Sequence, residues 1–227
     1  KMGTFGMIRI AHAPLRDAFA RHAAVIAILA VVSIVYGALV GLGQRHLKRR
    51  IAYTSITHMG YVVLGVAVAA SLAESHPAAA RLALGGAALE MVAHGLITGS
   101  LFFLAGSIWS RGQDFDLGAY GGLRRHTPRL ALALAAASFA SLGLPGFVGF
   151  LAEFQIFAGA VARSPWLVGF ALLGVILTAA LFLQLLQALL LGQGSARAQR
   201  MTDLGAVETG ALAVLLGLAL VLGVYPR

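Results

Sequence analysis

The chain has 227 residues, 59% of them apolar and only 11% charged, with a mean hydropathy of +0.88. Soluble domains carry about 25% charged residues, so this composition excludes a water-facing globular enzyme, a disordered tail and a disulfide-built secreted scaffold. With no cysteine, the chain has no thiolate metal site or iron–sulfur cluster of its own. Its net charge of +9 comes from Lys and Arg lying between apolar blocks, without interleaved aromatics. That is a topology signal rather than a nucleic-acid footprint.

In chain order, Lys1-Met2-Gly3-Thr4-Phe5-Gly6-Met7-Ile8-Arg9 is too short to span a bilayer and lacks the cleavage site of a signal peptide. It reads as the second half of a helix whose first half lies upstream. Apolar blocks follow at 24–43, 51–72, 83–109, 130–162, 166–191 and 206–224, each long enough for a hydrocarbon core that takes about 20 helical residues. The prediction is an all-α, polytopic membrane helix bundle: six transmembrane helices plus a half-helix stub, one transmembrane domain over 1–227. No strand pattern is present.

Arg45, Lys48, Arg49, Arg50, Arg111, Arg124, Arg125, Arg129, Arg197 and Arg200 fall in one alternate set of connections. The other set holds Arg9, Arg16, Arg21, Arg81 and Arg163. The richer side is expected to be cytoplasmic. Lys48-Arg49-Arg50 reads most simply as an interfacial anchor whose long side chains reach back to the headgroups. Gly85-Gly86 suits close helix approach, and Gly121-Gly122 a flexible loop.

The block at 130–162 is too long for one straight span and contains Gly143-Leu144-Pro145-Gly146. Proline removes a backbone donor and glycine lowers the cost of unwinding, so a break at Gly143–Gly146 is expected. Unpaired backbone groups at membrane depth persist only where protein or a water-filled cavity satisfies them. The break reads either as a packing kink or, the preferred reading given the ionisable residues that follow, as a discontinuous helix lining a polar path.

Four ionisable residues lie inside apolar blocks: His58, Glu90, His94 and Glu153. Charges at mid-bilayer cost on the order of 2.5–3.5 kcal/mol, so such residues pair, face a cavity or move protons. A carboxylate pulled one way by burial and the other by a nearby cation can load and release a proton as that neighbour's charge changes. Histidine both gives and takes a proton near neutral pH. Glu90 and His94, four apart, share a helix face and are expected to bond across one turn, as a structural pair or as relay partners. No helix carries a His-x-x-His or His-Glu-x-x-His pattern, so no metal is expected.

Leu47-Lys48-Arg49-Arg50-Ile51-Ala52-Tyr53-Thr54-Ser55-Ile56-Thr57-His58-Met59-Gly60 resembles a signature of the antiporter-like, proton-pumping subunits of respiratory complex I. Met91-Val92-Ala93-His94-Gly95-Leu96 does so too, as do Leu142-Gly143-Leu144-Pro145-Gly146 and Phe150-Leu151-Ala152-Glu153-Phe154. The Lys1–Arg9 segment resembles the family's eighth helix from its lysine onward. Glutamate rather than lysine after the break narrows the resemblance to the M-type subunits of bacterial NADH:quinone oxidoreductase.

The resemblance implies the end of one inverted repeat and all of the second over 1–191, with a loop and last helix over 192–227. It implies a relay of Lys1, His58, His94 and Glu153, with Glu90 as an extra relay site where the family usually has a neutral residue. It also implies a fragment of a longer chain, since the family's input-side glutamate and lysine lie upstream. No cofactor is expected here; NADH, flavin, iron–sulfur clusters and quinone belong to partner subunits. The expected partners are the other membrane subunits of complex I, including neighbouring antiporter-like ones, and the lipid of a bacterial inner membrane, with no nucleic acid. The competing readings are a cation/proton antiporter subunit of the Mrp type, a membrane subunit of an energy-converting hydrogenase, and a structural spacer whose polar residues only hold helices together.

Overall fold

The computed structural model describes residues 1–225. The stub is α1 (Met2–Gly6), which runs on as a π-helical turn over Met7–His12 and stops before Pro14. Then come α2 (Arg16–Leu42), α3 (Leu47–Leu72), α4 (Pro77–Gly112), a 3-10 turn (Leu117–Ala119), α5 (Leu123–His126), α6 (Pro128–Ser141), α7 (Val148–Val161), α8 (Pro165–Leu190), α9 (Ala196–Gln199) and α10 (Ala206–Val224). Helices α4, α6 and α8 each open on a proline in the first turn, where the missing N–H is one the helix cannot use anyway. A left-handed Gln113 closes α4.

Helices α2, α3, α4, α8 and α10 are long and apolar enough to cross a membrane. The sixth crossing is α6 and α7 in tandem, separated by 142–147, where Gly143 and Gly146 adopt φ of +82° and +106°. Other residues avoid that region of backbone space. The break is therefore where the Gly-Leu-Pro-Gly run placed it, and the block splits into two fourteen-residue halves.

The three basic-rich connections meet at one end of the bundle, as alternating spans require. Leu47 N–H donates to Phe115 O at 2.8 Å and Leu117 N–H to Arg45 O at 2.9 Å. Gly122 N–H reaches Leu191 O at 2.9 Å, the Ser195 hydroxyl reaches Ala119 O at 3.1 Å, and Arg197 pairs with Asp114. The Asp116 N–H and then the Arg197 guanidinium hold the Asp114 carboxyl below its ordinary value.

Asp203 substitutes for a helix cap. The N-cap residue of α6, Thr127, turns its hydroxyl to Leu123 O, leaving the first amides of α6 open. Asp203 accepts from Arg129 N–H and Leu130 N–H at 2.9 and 3.0 Å. Burial pushes the Asp203 carboxyl up, but the amides of Arg129, Leu130 and Leu204 outweigh it and hold the group below its ordinary value. Nearby, Arg111 at the end of α4 pairs with Glu208 of α10, which also accepts from the Ser107 hydroxyl.

One expectation at this end is corrected. Lys48 and Arg49 are exposed, as an anchor should be, whereas Arg50 is buried at 4% exposure. Its guanidinium donates to Leu42 O at 3.2 Å and to Gln184 Oε1 at 2.9 Å. One helical step turned it inward, where an open C-terminal carbonyl of α2 accepts from it.

Glycines set the close approach of α4 to α7. A Cβ at Gly86 would lie 2.8 Å from Ala152 O and Ile156 N, and one at Gly159 would lie 2.7 Å from Ala79 O. Backbones that near admit no side chain between them. Gly223 of α10 lies directly on the backbone of the break, against Gly146 O and Val148 N.

Candidate functional site

Three helices bring His58 (α3), Glu90 (α4) and Glu153 (α7) together beside the break, at 5%, 1% and 6% exposure. His58 is the hub. Its Nδ1 makes a 2.9 Å hydrogen bond with Glu90 Oε1 and lies 3.6 Å from Glu153 Oε1. Its Nε2 lies 3.2 Å from the hydroxyl of Ser141, the last residue of α6 before the break. With a carboxylate on one side, Nδ1 carries a hydrogen, and Nε2 accepts from Ser141 when the ring is neutral or donates to it when the ring is charged.

Glu153 is placed by its position five residues into α7, with Gly143 of the break beside its Oε2. Glu90 does not bond His94. The shared face puts both on the same side of α4, but the nearest donor to the Glu90 carboxylate comes from α3. Its second oxygen, Oε2, is buried without a partner.

His94, at 9% exposure, leaves both ring nitrogens buried and unpartnered, with its ring 5.6 Å from that of His58 in an edge-to-face arrangement. The Thr98 hydroxyl, one turn on from His94, and the Ser138 hydroxyl, one turn before Ser141, are likewise buried and unpartnered. Buried polar atoms left open in this way are costly unless water or a mobile proton serves them. Sequence reasoning missed Ser141 and these two hydroxyls, because serine and threonine inside apolar helices are common and their spacing carries no signal.

Lys1 reaches the site through the stub. The Thr4 hydroxyl contacts Met91 Sδ at 3.2 Å and Met59 Sδ at 3.9 Å, which seats α1 on α3 and α4. The Lys1 ammonium then lies against Gly95, next to His94. Lys1, His58, His94, Glu153 and Glu90 thus converge on one region. The pattern that single-helix spacing could not contain is a cross-helix one, since one ligand-type atom each from His58, Glu90 and Glu153 lies within 4.8 Å of the others.

The family described as NADH:quinone oxidoreductase/Mrp antiporter, TM, matches residues 1–179. The chain belongs to that family. Its membership agrees with the site, because the matched stretch holds Lys1, His58, Glu90, His94, the break and Glu153. Among curated relatives, NAD(P)H-quinone oxidoreductase chain 4 1 of Synechococcus sp. (strain JA-3-3Ab) is 39% identical over 237 residues, covering 100% of this chain and 43% of that protein. A chain of respiratory complex I from Thermus thermophilus with bound NADH superposes with a TM-score of 0.87 at 32% identity, over 99% of this chain and 45% of that one. A chain of the Mrp complex from Dietzia sp. DQ12-45-1b shares the fold, with a TM-score of 0.80 at 20% identity over 92% of this chain and 45% of that one. The family member described here therefore spans less than half the length of the relatives it matches.

Proposed function

We propose that this chain is part of a proton-translocating membrane subunit of NADH:quinone oxidoreductase, in a bacterial inner membrane. Electron transfer occurs on partner subunits, which hold NADH, flavin, iron–sulfur clusters and quinone, while this chain moves protons. The observation that carries the reading is His58, whose one ring nitrogen lies between two buried carboxylates from different helices, 2.9 and 3.6 Å away, beside a broken helix. The kinship with NAD(P)H-quinone oxidoreductase chain 4 and the likeness to a complex I chain support the enzyme assignment.

In this mechanism, a change of charge arriving from a neighbouring antiporter-like subunit shifts the proton affinity of Lys1, then of His94 and His58, then of Glu153. Opposite charges about 4 Å apart at an effective dielectric near 20 interact by about 4 kcal/mol. Moving one charge against 100 mV takes about 2.3 kcal/mol. A pair at the His58–Glu153 distance can therefore gate a transfer against a working membrane potential. Glu90 adds a second acceptor on the same ring nitrogen, so His58 can pass its proton to either carboxylate. Residues 1–191 act as the end of one inverted repeat and the whole second one, with 192–227 as the loop and last helix.

The test is NADH-driven acidification of inverted vesicles bearing the full-length parent protein with Glu153→Gln, at matched complex content. Lost pumping with the complex assembled is the expected result; unchanged pumping per NADH overturns the role of Glu153. A second reading, a cation/proton antiporter subunit, draws on the Mrp branch of the family description. It requires Na⁺/H⁺ or K⁺/H⁺ exchange in vesicles given no reductant.

A further inference from the structure

The geometry points to a transition-metal site of the zinc type formed by His58 Nδ1 and the carboxylates of Glu90 and Glu153, where a bound ion locks the proton relay. The site itself rests on the cluster geometry alone, and the locking of the relay rests on the proposed function.

Tetrahedral zinc takes imidazole nitrogen and carboxylate oxygen at about 2.0–2.2 Å, which sets ligand-to-ligand edges of about 3.3–3.5 Å. The two edges from His58 Nδ1, 2.9 Å to Glu90 Oε1 and 3.6 Å to Glu153 Oε1, bracket that length. All three ligand atoms lie within 4.8 Å of one another. Closing the set requires the two glutamate side chains to turn toward the ion, and a water would complete four-coordination, as in sites with three protein ligands.

Three independent features favour an ion over a chance cluster. Glu90 Oε2 is buried and has no partner, so it can turn to an ion, while His58 Nδ1 gives up its hydrogen bond to Glu90 Oε1 and the neutral ring carries its one hydrogen on Nε2, donated to Ser141. Two carboxylates and a neutral imidazole carry two negative charges, which a divalent ion cancels in a low-dielectric setting; its binding displaces their protons. The far ring nitrogen of His58 is 3.2 Å from the Ser141 hydroxyl, the outer partner that orients a metal-bound histidine and fixes its tautomer. Calcium and magnesium are poor fits, because they call for six or more oxygens.

The ion would occupy both carboxylates and the hub nitrogen at once, so zinc should inhibit pumping and a chelator should restore it. The decisive experiment needs no turnover. The purified parent complex is equilibrated with buffered Zn²⁺ without NADH, and bound zinc is counted by mass spectrometry for the wild type, Glu90→Gln and Ser141→Ala. The wild type should retain one zinc more than Glu90→Gln, and Ser141→Ala, which keeps all three ligands, should bind that zinc 10–100-fold more weakly. Equal stoichiometry and affinity in the wild type and Glu90→Gln overturn the site. If Glu90→Gln does not assemble, an unchanged affinity in Ser141→Ala overturns it. Pumping in zinc-free buffer reads the relay separately, so the two proposals fail by different measurements.

Discussion

At the basic-rich end of the bundle, Asp114, Asp116, Asp203 and Glu208 all accept from donors within the chain, and most of those donors belong to a different connection or helix. At the histidine–carboxylate centre the balance is reversed. Glu90 keeps a bare oxygen, His94 has two bare nitrogens, and Thr98 and Ser138 have idle hydroxyls. Both regions are polar and both join several helices. Arg50 Nε and Arg111 Nε are also open at the basic-rich end, so the contrast is in the acceptors: carboxylates supplied with donors hold a shape, whereas a buried carboxylate and imidazole with spare hydrogen-bonding capacity are suited to taking up and handing on a proton.

Five substitutions break or sharpen that contrast. The largest effect belongs to the unsaturated centre, where Glu153→Gln should abolish NADH-driven acidification while leaving assembly intact. Next is the scaffold that brings α7 to α4. Gly86→Leu forces a side chain onto Ala152 O and Ile156 N, and should destabilise by about 1–3 kcal/mol or more; thermal unfolding of the solubilised complex reads this as a lower midpoint.

Arg50→Met leaves Gln184 Oε1 and Leu42 O without their donor and should cost about 1–3 kcal/mol. Lys48→Met, two residues away and exposed, should shift the midpoint by less than about 0.5 kcal/mol. Equal shifts for the two would contradict the inward turn of Arg50.

Apart from the exposed control at Lys48, the smallest effect is at Asp203. Asp203→Ala uncaps α6 for about 1 kcal/mol or less, because the group is largely solvated. Its carboxyl is held below the ordinary value, so its contribution is complete above about pH 4 and is lost as pH falls through the depressed value. Wild type and Asp203→Ala should therefore differ in unfolding midpoint at pH 7 and converge on acidification. A gap that widens toward low pH would refute the capping role.

Crossing number, the break and the identity of the intramembrane ionisable residues could all be read from the sequence, because each depends on a run or a local motif. Block length counts helices, Gly-Leu-Pro-Gly marks unwinding, and a glutamate among leucines stands out by its cost. What could not be read depends on how helices rotate against one another. The spacing of Glu90 and His94 is a fact of one helix, but whether Glu90 bonds His94 or His58 depends on the facing of α3 and α4, which glycine contacts and packing decide. Arg50 beside Lys48 and Arg49, and Asp203 acting for Thr127, were hidden for the same reason: in each case the partner comes from another part of the chain.

Among the described residues of α10, only Leu212 and Ala219 are buried, yet the helix is fixed at two points, Glu208 on Arg111 near its start and Gly223 on the break near its end. Fifteen residues separate those points, about 22 Å of helix. The helix is thus a caliper, with one jaw on the loops at the bundle end and the other on the unwound backbone next to the histidine–carboxylate centre. One residue inserted between the jaws would turn Gly223 away by about 100° and press a side chain onto the break instead. The length of this outer helix, more than its composition, sets how closely the break is held.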